Sequence, residues 1–197
     1  MKTTLFVFTL VALTSCSEIS SLYPISENGK NIIFKKELMG RWKSVKDKTE
    51  FTIDTLQRSG SIIYKAMIID ANPSQIADTT HYQAILVGLK GKLFIDCITL
   101  PPSRCGNKDE PEWDGALPKH FIFKIYSVDN GSIVFAAIDF EKIVELMKQK
   151  KIILRHELLK EDMILLLEKP ESLQKKLLEL EKFGSVYTAK DTLVRIE

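Results

Sequence analysis

Beyond residue 16 the chain has no long hydrophobic run, and nothing approaches the roughly 18 consecutive apolar residues that a membrane-spanning helix needs. It also lacks an excess of charge of one sign. Lys plus Arg is 28 and Asp plus Glu is 26, a net charge of +2, so there is no electrostatic ground for expecting nucleic acid as a partner. The strings GxxxxGK(S/T), GxGxxG, HExxH and GxSxG are all missing. With them goes the structural minimum for the common phosphate, dinucleotide, zinc-protease and serine-hydrolase mechanisms. Neither a CxxC pair nor a close Cys/His cluster occurs, so no metal and no cofactor is expected. What remains is a chain of 197 residues, 45% hydrophobic and 27% charged, the composition of an ordinary globular domain.

The N-terminus is the most informative stretch. Lys2 precedes a short apolar run from Leu5 to Leu13, the layout of a secretory signal peptide, here residues 1–15. The run is too short to span the roughly 30 Å hydrocarbon core as a helix. It ends in Leu13-Thr14-Ser15-Cys16, which resembles the lipobox of bacterial lipoproteins. That resemblance implies diacylglyceryl transfer to the Cys16 thiol, cleavage before Cys16, and acylation of its new amine. Two or three acyl chains at about 0.8 kcal/mol per buried methylene make a stable anchor, so the expected partner is a membrane held through lipid. An Asp directly after the lipidated Cys often retains such lipoproteins in the inner membrane. Ser17 stands there instead, which by analogy favours the outer membrane of the cell envelope, with the periplasmic and outward-facing orientations both open. The competing reading of Cys16 is an ordinary buried core cysteine.

Residues 16–36 are rich in Ser, with Pro24, Asn28 and Gly29, and read as a flexible tether, with a short strand at 31–34 as an interruption. Residues 37–197 then form one β-rich domain. Of the three cysteines, Cys97 and Cys105 remain after Cys16, and in an oxidising envelope they are disulfide candidates. The alternative for Cys97 is a small buried apolar residue.

Alternation and β-branched or aromatic enrichment mark strands at 40–46, 50–54, 61–70, 81–89, 92–98, 120–128 and 132–138. Gly88-Leu89-Lys90-Gly91 and Asp129-Asn130-Gly131 supply the turns of an antiparallel meander. After Asp139, a plausible N-cap, Phe140, Ile143, Val144 and Met147 give one apolar helical face. A hairpin at 152–168, a second helix at 171–183 behind Pro170, and a last strand at 193–196 follow. The fold class is therefore α+β: mainly antiparallel β, as a barrel or a strongly curved sheet, with two helices in the C-terminal third.

Gly40-Arg41-Trp42 at the start of the first strand resembles the G-x-W signature of lipocalin-like barrels, in which the Trp packs across one end of the barrel. A core-filling Trp is the competing reading. Residues 83–89, Lys92 to Asp96 and Leu117-Pro118-Lys119-His120-Phe121 also resemble a recurrent pattern in uncharacterised bacterial lipoproteins, loosely over 40–197. That resemblance carries no activity with it.

Candidate chemistry is sparse. His120 with Asp96 would form a general-base pair if their strands were neighbours. Asp109, Glu112 and Asp114 make the most acidic loop, and its spacing is not that of an EF-hand, so a solvated loop is the reading. Trp113 in that loop and Trp42 are the ligand-contact candidates. Lys148 to Lys151 ends a helix, where cations complement the dipole. Three functional readings follow. The first is a non-catalytic binding module for an apolar ligand or another envelope protein. The second is an assembly factor whose barrel is filled by Phe94, Phe121, Phe123 and Phe135. The weakest is a hydrolase using His120 and Asp96. The anchor is directly testable: Cys16→Ser is expected to abolish metabolic palmitate labelling of the chain in its own cells, and unchanged labelling would remove the lipoprotein reading.

Overall fold

In a computed structural model the chain is described for residues 18–27, 29–58, 61–69, 79–100, 119–160, 162–184, 186–187 and 190–196. Eight strands form a closed antiparallel barrel: β2 (Gly40–Ser44), β3 (Glu50–Arg58), β4 (Ser61–Ile69), β5 (Thr79–Leu89), β6 (Lys92–Leu100), β7 (His120–Val128), β8 (Ser132–Ala137) and β11 (Lys190–Ile196). Each is hydrogen-bonded to the strand next in the meander, and β11 returns to pair with β2 and close the ring. This is a lipocalin-like, up-and-down barrel. The β5–β6 turn shows how local sequence sets it: Lys90 and Gly91 both have positive φ, 46° and 77°, as a two-residue hairpin requires.

Between β8 and β11 the chain leaves the barrel to form α1 (Phe140–Lys148), the hairpin β9 (His156–Lys160) and β10 (Met163–Leu166), and α2 (Pro170–Leu180). Asp139 caps α1 by accepting the Lys142 N–H at 3.0 Å, and Pro170 occupies the first turn of α2, where its missing N–H costs nothing. Ile143 and Leu146 of α1 and Leu173, Leu177 and Leu180 of α2 are buried against outward-facing wall residues Val87, Leu89, Phe94, Ile122 and Ala136. Strand alternation sends the opposite set inward, including Leu86, Ile95, Ile125, Ile133 and Leu193. Phe94, expected inside the barrel, therefore belongs to the outer core beneath the helices.

The expected tether is structured from Glu18 onward. Glu18–Ser21 is a strand, β1, parallel to β10 and antiparallel to the first residues of β7. Ser20, Ser21 and Ile25 are buried. A serine-rich composition looks like a linker, yet a β-ladder is made by backbone groups and small side chains fit where two strands flank a third. The folded unit therefore includes residues ahead of 37.

One end of the barrel is sealed by the segment leading into β2. Ile33 N–H donates to Leu86 O at 2.8 Å and Gly88 N–H to Asn31 O at 2.9 Å. The backbones approach closely enough here that a Cβ at Gly88 would push the end of the exposed Ile33 side chain aside. A single 3-10 turn at Lys36–Leu38 then crosses the end and places buried Leu38 in the barrel. Trp42, with no exposed surface, donates its indole N–H to Leu38 O at 2.9 Å. From the last strand Arg195 lays its guanidinium over the Trp42 ring, 4.2 Å from the centroid. Arg195 also donates to Asn130 O, Met39 O and Glu37 O at 2.6, 2.8 and 2.8 Å. Gly40 has φ of +129°, and a Cβ there would strike the Arg195 guanidinium. The G-x-W string is thus explained physically: the glycine makes room for the cation that covers the tryptophan. Trp42→Ala is expected to lower unfolding stability by about 3–5 kcal/mol. Arg195→Ala, whose carbonyl partners water can reach, is expected to cost about 1–2 kcal/mol. Urea unfolding followed by circular dichroism checks both, and equal losses would show that the two residues do not act as described.

Candidate functional site

The inward-facing residues leave a cavity of about 250 Å³ inside the barrel. It extends from Leu38, Ile133 and Leu193 near the sealed end toward Phe121, Tyr82 and Ala66. Strand parity builds its wall: Tyr82 and Ala84 on β5, Ile95 and Cys97 on β6, Phe121, Phe123 and Ile125 on β7. Rings dominate, with Phe51, Tyr64, Tyr82, Phe121, Phe123 and Phe135 all contributing. Phe123 and Phe135 meet edge to face, centroids 5.8 Å apart and planes at 81°. Ala66 and Ala84 are the small residues that leave the space open.

Few polar atoms of the described residues face this space. The Tyr64 hydroxyl accepts the Lys35 N–H at 2.7 Å and donates to Lys35 O at 3.2 Å, so the sealing segment uses it in both directions. Burial raises the Tyr64 pKa, and Glu37 adds to the effect. Burial likewise raises that of Tyr82, with the Cys97 thiol adding to it and a hydrogen bond with the Thr99 side chain opposing it. Cys97 carries a free thiol, and the candidate disulfide with Cys105 falls on a residue outside the described ones. The residual accessible surface of Cys97 belongs to the cavity wall, and burial followed by the charge of Asp96 pushes its pKa well above the ordinary thiol range. The thiol is therefore held protonated and weakly nucleophilic.

His120 and Asp96 are indeed neighbours. The Nδ1 of His120 lies 2.7 Å from Asp96 Oδ1, and Asp96 Oδ2 accepts the Ile25 N–H at 2.7 Å. The Asp96 side chain is 1% exposed and that of His120 15%. Both have the parity opposite to Cys97 and Phe121, so they sit on the outer surface of the barrel wall and do not line the cavity. Among the described residues no hydroxyl or thiol is hydrogen-bonded to the remaining His120 nitrogen. What the pair does is clamp the N-terminal segment to the wall: one buried carboxylate serves a ring nitrogen on β7 and a backbone amide beyond β1.

Trp42 does not contact the cavity, but forms the floor beneath it. Cys16, Cys105, Trp113, Asp109, Glu112 and Asp114 lie outside the described residues. Among the described residues no cluster of metal-ligating side chains occurs, and no helix is long and apolar enough to cross a membrane. Sequence reasoning missed Tyr64, Tyr82 and Arg195. The two tyrosines share the parity of inward neighbours and were legible in principle, whereas nothing in the sequence marks Arg195.

No family model, curated protein or solved structure matches the chain. The site's chemistry is therefore read from its own geometry.

Removing the clamp leaves the buried Ile25 N–H and the partly buried His120 ring nitrogen without an acceptor. Asp96→Ala is expected to destabilise the fold by about 2–4 kcal/mol. It should also raise hydrogen exchange of the Ile25 amide relative to the Leu173 amide, as read by mass spectrometry or NMR. Unchanged protection at Ile25 would sink the clamp.

Proposed function

We propose that the chain is a non-catalytic binding module of the cell envelope, held at the outer membrane by acyl chains on Cys16, that carries an apolar ligand inside its barrel. The observation that supports this most is the cavity of about 250 Å³ lined by apolar side chains inside the closed barrel. Close packing is the rule for protein interiors, and a void of this size forfeits contacts and transfer energy unless something fills it. Pockets that bind small molecules have this character: concave, largely apolar and preformed.

The alternative, an assembly factor with a solid core, required Phe94, Phe121, Phe123 and Phe135 to fill the barrel. Three of the four line the cavity without closing it and Phe94 points outward, which favours the ligand reading. A hydrolase built on His120 and Asp96 has the pair, but the pair is engaged in holding the N-terminal segment and faces away from the cavity.

The reading is tested by native mass spectrometry of the protein purified gently from its own envelope extract. A reproducible bound mass, lost on denaturation, is the expected result. A bare protein mass, with co-purifying polypeptides, would replace the ligand-binding role by the assembly role.

A further inference from the structure

The charge map of the barrel wall narrows the ligand class, an inference that rests on the cavity being the binding site. Among the described residues, none of the side chains lining the cavity is Asp, Glu, Lys, Arg or His. The two buried charged residues of the wall face outward and are already paired, Asp96 with His120 and Lys124 with Glu181. Lys124 is further occupied by the rings of Tyr126 and Tyr187, at 4.4 and 5.1 Å from their centroids. A carboxylate or ammonium drawn into the cavity would lose its hydration and find no counter-ion.

Hydrogen-bonding capacity is almost as scarce. Tyr64 is used by Lys35 in both directions, and Tyr82 is engaged by Thr99, which leaves one weakly committed hydroxyl and the Cys97 thiol. An apolar cavity of about 150 Å³ takes benzene, so 250 Å³ corresponds to a molecule of about ten non-hydrogen atoms. Six rings in the wall, two of them already edge to face, suit a further ring better than a bare alkyl chain.

We infer that the barrel selects a compact, uncharged, ring-bearing molecule of about ten non-hydrogen atoms and rejects ionised molecules of the same shape. Two probes of nearly equal size isolate the effect of charge: n-butylbenzene, which is neutral, and 3-phenylpropionate, which is anionic at neutral pH. Isothermal titration calorimetry at pH 7.4 on residues 17–197, which lack the apolar leader and Cys16 and need no detergent, is expected to show n-butylbenzene binding at least about 100-fold more tightly. The cavity-filling variants Ala84→Leu and Ala66→Leu, each verified as folded by circular dichroism, are expected to weaken that binding at least about tenfold.

Equal affinity for the two probes would overturn the charge selection while leaving the binding reading in place. Tight n-butylbenzene binding that survives both filling variants would place the ligand elsewhere and overturn the inference about this cavity. Binding of neither probe, together with a bare mass in the native spectrum, would remove the inference and the binding reading together.

Discussion

Closing eight strands into a ring removes the sheet's edges, but it obliges every wall residue to face either an enclosed interior or whatever packs outside. The rest of the molecule follows from how these two sides are filled. On the β5–β8 side the outer surface is not left to water: α1, α2, β10 and the N-terminal segment cover it, so the wall there is apolar on both faces. A wall buried twice has no cheap place for charge. Asp96 and Lys124 are accordingly among the few buried charged residues, and each is matched by a partner carried in from another element.

These polar contacts also decide which parts of the chain belong together. Asp96 joins β6, β7 and the stretch after β1 through one carboxylate, and Lys124 ties β7 to the end of α2 through Glu181. Arg195 does the same at the sealed end, linking the last strand, the β7–β8 turn and the segment before β2. Hydrophobic burial supplies most of the stabilisation but is indifferent to exact partners. Directional bonds from buried or stacked charges select one arrangement among many that bury similar area.

Strand positions and the two helices were legible because period-2 and period-3.6 patterns survive even when both faces of a wall are buried, as in Phe121, Phe123 and Ile125 against Ile122 and Lys124. β1 was not legible. Its Ser-rich sequence carries no pattern, and its place is set by the distant partners β7 and β10. The candidate site was half legible: the parity that builds the cavity can be read, but not the space left by Ala66 and Ala84, which depends on how far the barrel contracts. The His120–Asp96 pairing followed from strand adjacency, while its orientation away from the cavity follows from parity, and its use of the Ile25 amide could not be foreseen.

The position of β1 changes what an anchor at Cys16 would mean mechanically. Glu18 is already bonded to the sheet through its amide, donated to Asp162 O at 2.8 Å, so only Ser17 separates it from Cys16, where such an anchor would be attached. An extended residue spans at most about 3.6 Å, so the folded body would ride within about one headgroup's depth of the lipid. With so short a connection, one face would be turned toward the bilayer, and the body would sample the membrane surface by lateral diffusion instead of sweeping the space above it.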